Sequence, residues 1–142
     1  MENVKKFDFL VGMILGDLYK TLPVHSQLVA SDYLERIVND DNYDEAFSFD
    51  VFFSATVRWL ERYGYVDIDN KRQTLSTVGF SLCLSEKGLH TLRKMPKSIA
   101  GHRTLGEMLS QTSKGIAKET LSKLITDLVA YGVNRGTDHF QM

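Results

Sequence analysis

At Gly64 the apolar period of this chain changes from that of a helix to that of a strand, and few sequence features constrain a fold more tightly. From Phe49 to Tyr63, Phe53, Val57 and Leu60 form one helical row, and Phe52, Trp59 and Tyr63 form a neighbouring one. So much of this helix is apolar that most of its surface should be buried, with Trp59 and Leu60 holding it against another helix. Gly64 stands where a left-handed C-cap is expected. The period then becomes two. Tyr65 to Asp69 reads as a strand, Asn70-Lys71-Arg72 as a turn, and Asn70 to Thr77 as a polar hairpin tip. Val78, Phe80, Leu82 and Leu84 alternate with Gly79, Ser81 and Cys83, which predicts a second strand with one buried face.

The flanking segments extend the pattern. Phe7, Leu10, Val11, Ile14, Leu15, Leu18, Tyr19 and Leu22 recur at helical spacing until Pro23, which has no amide proton to continue a helix. Val24 to Ala30 reads as a short extended piece. Ser31 is the expected cap of a short helix through Tyr33, Leu34, Ile37 and Val38, and Asp40 to Glu45 reads as a loop. Ser85 should cap a further helix with Leu89 and Leu92 facing in, ended by Pro96. Residues 96–103 read as a linker. Beyond them, Thr104-Leu105-Gly106-Glu107 matches a capping box. Apolar residues from Leu105 to Val129 keep helical spacing, as one long helix or two broken near Gly115. Such a stripe should dock on the first helix or pair with a second copy through residues 104–131.

The chain has 142 residues, of which 43% are hydrophobic and 25% charged, an ordinary globular composition. Cys83 is the only cysteine, so no intrachain disulfide can form, and a reducing compartment is expected. Asp8 and Asp17 interrupt the first apolar run, against a signal peptide. No apolar stretch approaches the roughly 20 residues of a membrane span. A cytoplasmic protein is expected.

The net charge of −1 hides an asymmetry. Ser31 to Asp50 holds seven acidic residues and one basic one, a net −6. Glu86 to Lys123 holds eight basic residues and three acidic ones, a net +5.

Little of this has the pattern of catalysis. His25, His90, His102 and His139 lie far apart, and none pairs with Cys83 or a carboxylate at a zinc-site spacing. Cys83 reads as a small packed strand residue rather than a nucleophile. Gly12 and Gly16 read as a site of close helix packing. Asp40, Asp41, Asp44 and Glu45 lack the glycine and terminal glutamate of a calcium loop. Neither catalytic residues, a metal nor a cofactor is expected.

The order helix, extended piece, helix, helix, strand, turn, strand, helix resembles a winged helix–turn–helix domain. Three clusters carry the likeness. Thr56 to Val66 is similar to its third helix running through a glycine into the wing. Leu84 to Leu92 is similar to the junction after the wing, and Leu22-Pro23-Val24 to the end of the first helix. The resemblance, which covers roughly residues 5–95, implies a mostly α fold with a small β-hairpin for a domain over residues 1–95, and residues 104–136 are expected to form a C-terminal amphipathic helical extension. A looser likeness links the chain to small bacterial immunity and defence proteins on this fold.

Two functions follow as expectations. The first is a non-enzymatic protein-interaction module, immunity- or antitoxin-like. Its acidic face at Asp40, Asp41, Asp44 and Glu45 would block a basic toxin or nuclease partner. The alternative is a DNA-binding regulator reading bases with Ser54, Arg58 and Arg62 from helix 49–63. Its wing residues Lys71 and Arg72 would touch phosphate. Glu61 and the acidic run count against DNA. Lys114, Lys118 and Lys123 would permit membrane-surface contact, but packing within the protein is the expected use of that helix.

Overall fold

A computed structural model describes residues 3–37, 45–73, 78–94, 103–110 and 123–130. Helix α1 (Asn3–Thr21) leads to strand β1 (Ser26–Val29), helix α2 (Ala30–Ile37) and helix α3 (Glu45–Arg62). Strands β2 (Val66–Gln73) and β3 (Val78–Leu84) follow, then helices α4 (Glu86–Leu92), α5 (Leu105–Leu109) and α6 (123–130). The fold is mostly helical with a small three-stranded antiparallel sheet of order β1-β3-β2. None of the described helices is long and apolar enough to cross a membrane.

The sheet is larger than a hairpin. Extended residues after Pro23 find free backbone donors and acceptors on the outer edge of β3, with Ser26 opposite Leu82 and Val29 opposite Gly79. This makes β3 the central strand, buried on both faces rather than one, with Gly79 and Cys83 inside as well as Phe80 and Leu82. A Cβ on Gly79 would lie 2.9 Å from the Val29 side chain, so glycine lets β1 close on β3. The expected turn at Asn70-Lys71-Arg72 is instead strand. Lys71 pairs with Phe80 and Arg72 with Gly79, beyond an irregularity between Ile68 and Asn70. Ladder hydrogen bonds there outweigh the weak strand preference of these polar residues.

Two helix starts also shift. Helix α2 begins at Ala30, directly from β1, so Ser31 lies in its first turn and is not its cap. Helix α3 begins at Glu45, taking in the end of the expected acidic loop. Its other end matches the sequence reading. Gly64 has φ +84°, and the Tyr65 and Gly64 amides donate to the carbonyls of Leu60 (2.8 Å) and Glu61 (3.0 Å), a Schellman cap.

The strand-to-helix junction is tied to that cap. Ser85 accepts from the Gly88 amide at 2.9 Å, capping α4, and its hydroxyl also donates to the Gly64 carbonyl. The Ser85 amide donates to Tyr65 at 3.0 Å.

The core gathers Leu10, Ile14 and Leu18 of α1, Phe53, Val57 and Leu60 of α3, and Phe80 and Leu82 of β3. Leu105, Leu109, Leu124, Ile125 and Leu128 join the same cluster. Helix α1 is therefore covered on two sides. A Cβ on its Gly16 would lie 2.3 Å from the Leu109 carbonyl oxygen, and one on Gly106 2.5 Å from the Tyr19 ring. The packing expected of the first-helix glycines is realised at Gly16. The capping box forms as expected. Thr104 Oγ1 accepts from the Glu107 amide (3.2 Å), and the Thr104 amide donates to the Glu107 carboxylate (3.2 Å). Helix α5 ends at Leu109. The linker residues 96–102, and the stretch around Gly115, lie outside the described residues.

Candidate functional site

Helical geometry sorts the residues of α3 into three arcs. Phe49, Phe53, Thr56, Val57 and Leu60 are buried. Val51, Ala55, Arg58 and Arg62 are exposed and follow one another at helical spacing along the opposite face. Phe52 and Trp59 are half-buried on the flank between, and Tyr63, in the turn that follows, is 51% exposed. The apolar content of α3 thus exceeds what one core can absorb, and among its described side chains more are half-buried or exposed than buried. The surplus faces outward.

Trp59 shows how this surplus is held. Its ring meets Phe7 of α1 edge-on at 5.1 Å and lies nearly parallel to Tyr65 at 6.0 Å. Leu60 is fully buried as expected, whereas Trp59 is only partly so. Between the start of α1 and this flank runs an apolar groove of about 340 Å³, lined by Val4, Phe7, Phe52, Ala55, Thr56 and Trp59. Val4 is 69% exposed at its mouth and Val51 is 59% exposed beyond it. The Lys6 ammonium lies over the Phe52 ring at 5.5 Å. Thr56 turns its hydroxyl onto the Phe52 carbonyl at 2.9 Å, so its donor is occupied within the helix.

The sequence candidates divide around this site. Arg58 and Arg62 are both exposed on the outer face of α3, and Ser54 lies on the flank away from the groove. The Arg58 guanidinium reaches Glu61 at 3.5 Å and lies 5.6 Å from the Phe80 ring centre. That ion pair is exposed, the kind worth little in stability. Lys71 and Arg72 belong to the backbone of β2, paired to β3, rather than to the hairpin tip. Asp40, Asp41 and Asp44 lie outside the described residues, and Glu45 opens α3.

A second polar cluster joins α1 to α2. Asp17 Oδ2 accepts from the Tyr33 hydroxyl (2.7 Å) and from Arg36 (3.0 Å), whose guanidinium also lies 5.2 Å from the Tyr33 ring centre. Burial, reinforced by the facing Asp17 carboxylate, holds the Tyr33 phenol far above its ordinary value. Burial alone pushes Tyr65 up to about 12. Arg36 is the one cation between Ser31 and Asp50, and it is engaged by Asp17.

Among the described residues, no three His, Cys, Asp or Glu side chains come together as a metal site. Cys83 is buried, its thiol donating to the Pro23 carbonyl at 3.5 Å, in keeping with a packed residue.

The groove was not among the residues singled out in the sequence. Its signal was the second apolar row, Phe52, Trp59 and Tyr63, beside a first row sufficient to anchor the helix. Val4 and Phe7 carried no such signal, because only the crossing of α1 over α3 brings them there. No family model, curated protein or solved structure matches the chain.

Proposed function

We propose that the chain is a non-enzymatic protein-interaction module on a winged-helix scaffold, with an immunity- or antitoxin-like role in the cytoplasm. The scaffold reading draws on the order α1-β1-α2-α3-β2-β3 and on the pairing of β1 with β3 beside a helix–hairpin unit. One observation carries the functional reading. The outward face of α3, which a DNA-binding winged helix would turn into the major groove, begins with Val51 and Ala55 and borders an apolar groove. Apolar and aromatic residues accompanied by arginine are the composition of protein interfaces. Phosphate contacts need a denser set of cations. The acidic run leading into α3 favours a basic partner, and engagement of Arg36 by Asp17 leaves that run with less to offset its charge.

The DNA-binding alternative uses Ser54, Arg58, Arg62, Lys71 and Arg72, and the exposure of both arginines is what favours it. The test sets the two side by side. Duplex selection from a random library should enrich no sequence. The complex with the natural protein partner should associate more slowly when Asp40, Asp41, Asp44 and Glu45 become amides, and the difference should shrink in high salt. Sequence-selective duplex binding that Arg58→Ala weakens by about 1–3 kcal/mol, and that the amide changes leave alone, overturns the proposal.

A further inference from the structure

We infer that the groove between the start of α1 and the flank of α3 is a docking site for an acidic amphipathic helix of a partner protein. This inference needs only the open face of α3 and does not rest on the immunity-like reading. The shape argues for a helix. Two helices already form the walls, Val4 and Phe7 on one side and Phe52, Ala55 and Trp59 on the other. Phe52 and Trp59 are two helical turns apart, a rise of about 10 Å. That is the distance between residues i and i+7 on an incoming helix, the anchor spacing of helix-in-groove recognition. Ala55, exposed between the two aromatic rings, leaves room for the middle anchor. The Thr56 hydroxyl donates to its own helix, and the other described lining side chains are apolar or aromatic, a surface suited to apolar anchors.

The charge around the groove fixes the sign of the partner. Lys6 stands over the Phe52 ring at one end. Exposed Arg62 lies one turn beyond Trp59, and Lys5 is exposed on the same turn of α1 as Val4. Among the described side chains, Glu61 and Arg58 offset each other as a pair, and Asp8 has an interaction of its own within the chain. Acidic residues flanking the apolar anchors would therefore meet cations along the rim. The acidic run from Ser31 to Asp50 would favour a partner of the opposite charge.

Trp59 is the only tryptophan and lies in the groove wall, so its emission reports occupancy directly. The probe is a fluorescein-labelled helical peptide with leucines at i, i+4 and i+7 and glutamates on its other faces. It is compared with a lysine version and a scrambled glutamate version. The full chain should bind the glutamate peptide saturably with a blue shift of Trp59 emission. The lysine version should bind at least about tenfold more weakly, and the scrambled one not at all. Ala55→Gln fills the middle of the groove at an exposed position and should weaken binding about tenfold, with an unchanged melting curve. Arg62→Gln should weaken it severalfold at low salt and little at high salt. Equal binding of the lysine and glutamate peptides overturns the inference, as does binding indifferent to Ala55→Gln. Concentration-dependent dimerisation abolished by Ala55→Gln would assign the groove to a second copy of the chain instead.

Discussion

Two buried tyrosines set how this protein responds to alkali. Tyr65 is 2% exposed, and burial pushes its phenol up to about 12 against an ordinary 10. The folded chain therefore holds a proton that the unfolded chain releases above pH 10. Stability is fully present below that pH and is lost as pH rises toward 12, by up to about 3 kcal/mol from Tyr65. Tyr33 acts in the same direction, through burial and the Asp17 carboxylate. Thermal melts at rising pH should show a steep loss above pH 10, and Tyr65→Phe should flatten it. A melting temperature constant through that range would contradict the burial of both rings. Trp59 belongs to the same scale. It touches Phe7, Tyr63 and Tyr65 but is only half-buried. Trp59→Ala should cost about 2–3 kcal/mol in denaturant melts, below the roughly 3–5 kcal/mol of a fully buried tryptophan. Leu60→Ala, at a fully buried position, should cost about 2–5 kcal/mol.

At the scale of elements, the contact of α1 with α5 is the least forgiving. Gly16 lets the α5 backbone approach so closely that a methyl group would overlap the Leu109 carbonyl. Backbone cannot swing aside as a flexible side chain can. Gly16→Ala should therefore cost more than the gain of about 1 kcal/mol that alanine brings to a helix interior. We expect a net loss of about 1–3 kcal/mol. Faster amide exchange in α5 should accompany it, while exchange in the sheet keeps its relative order. A stability gain at position 16 would mean that α5 does not dock there.

The whole molecule depends on its C-terminal helices. Leu105, Leu109, Leu124, Ile125 and Leu128 are all buried in the core they share with α1. Each is worth about 1.5–3 kcal/mol of burial. Together they rival the roughly 5–15 kcal/mol that separates a folded domain from its unfolded chain. The backbone bond from the Leu105 amide to the Lys94 carbonyl (2.8 Å) fixes where α5 starts relative to α4. A chain ending at Met95 should lose its cooperative melt or self-associate through the bared side of α1. A truncated chain that is monomeric and melts like the full one would separate the two parts.

Much of this was determined locally, and those features were legible in the sequence. The period change at Gly64, the Ser85 cap, the Thr104–Glu107 box and the row Phe53-Val57-Leu60 each depend on residues within a few positions of one another. Their side chains and backbone satisfy each other wherever the segment sits. The third strand, the double-sided burial of β3 and the extension of β2 through Lys71 and Arg72 depend on partners far away in the chain. A strand's status is settled by which edge is free to pair with it, and that is a property of the assembled sheet. The groove is the extreme case. Phe52 and Trp59 carried a visible surplus of apolar surface, yet only the crossing of α1 over α3 decided that Val4 and Phe7 would stand opposite them. An apolar period says that surface must be covered or left over. Only the packed molecule decides which surface is left.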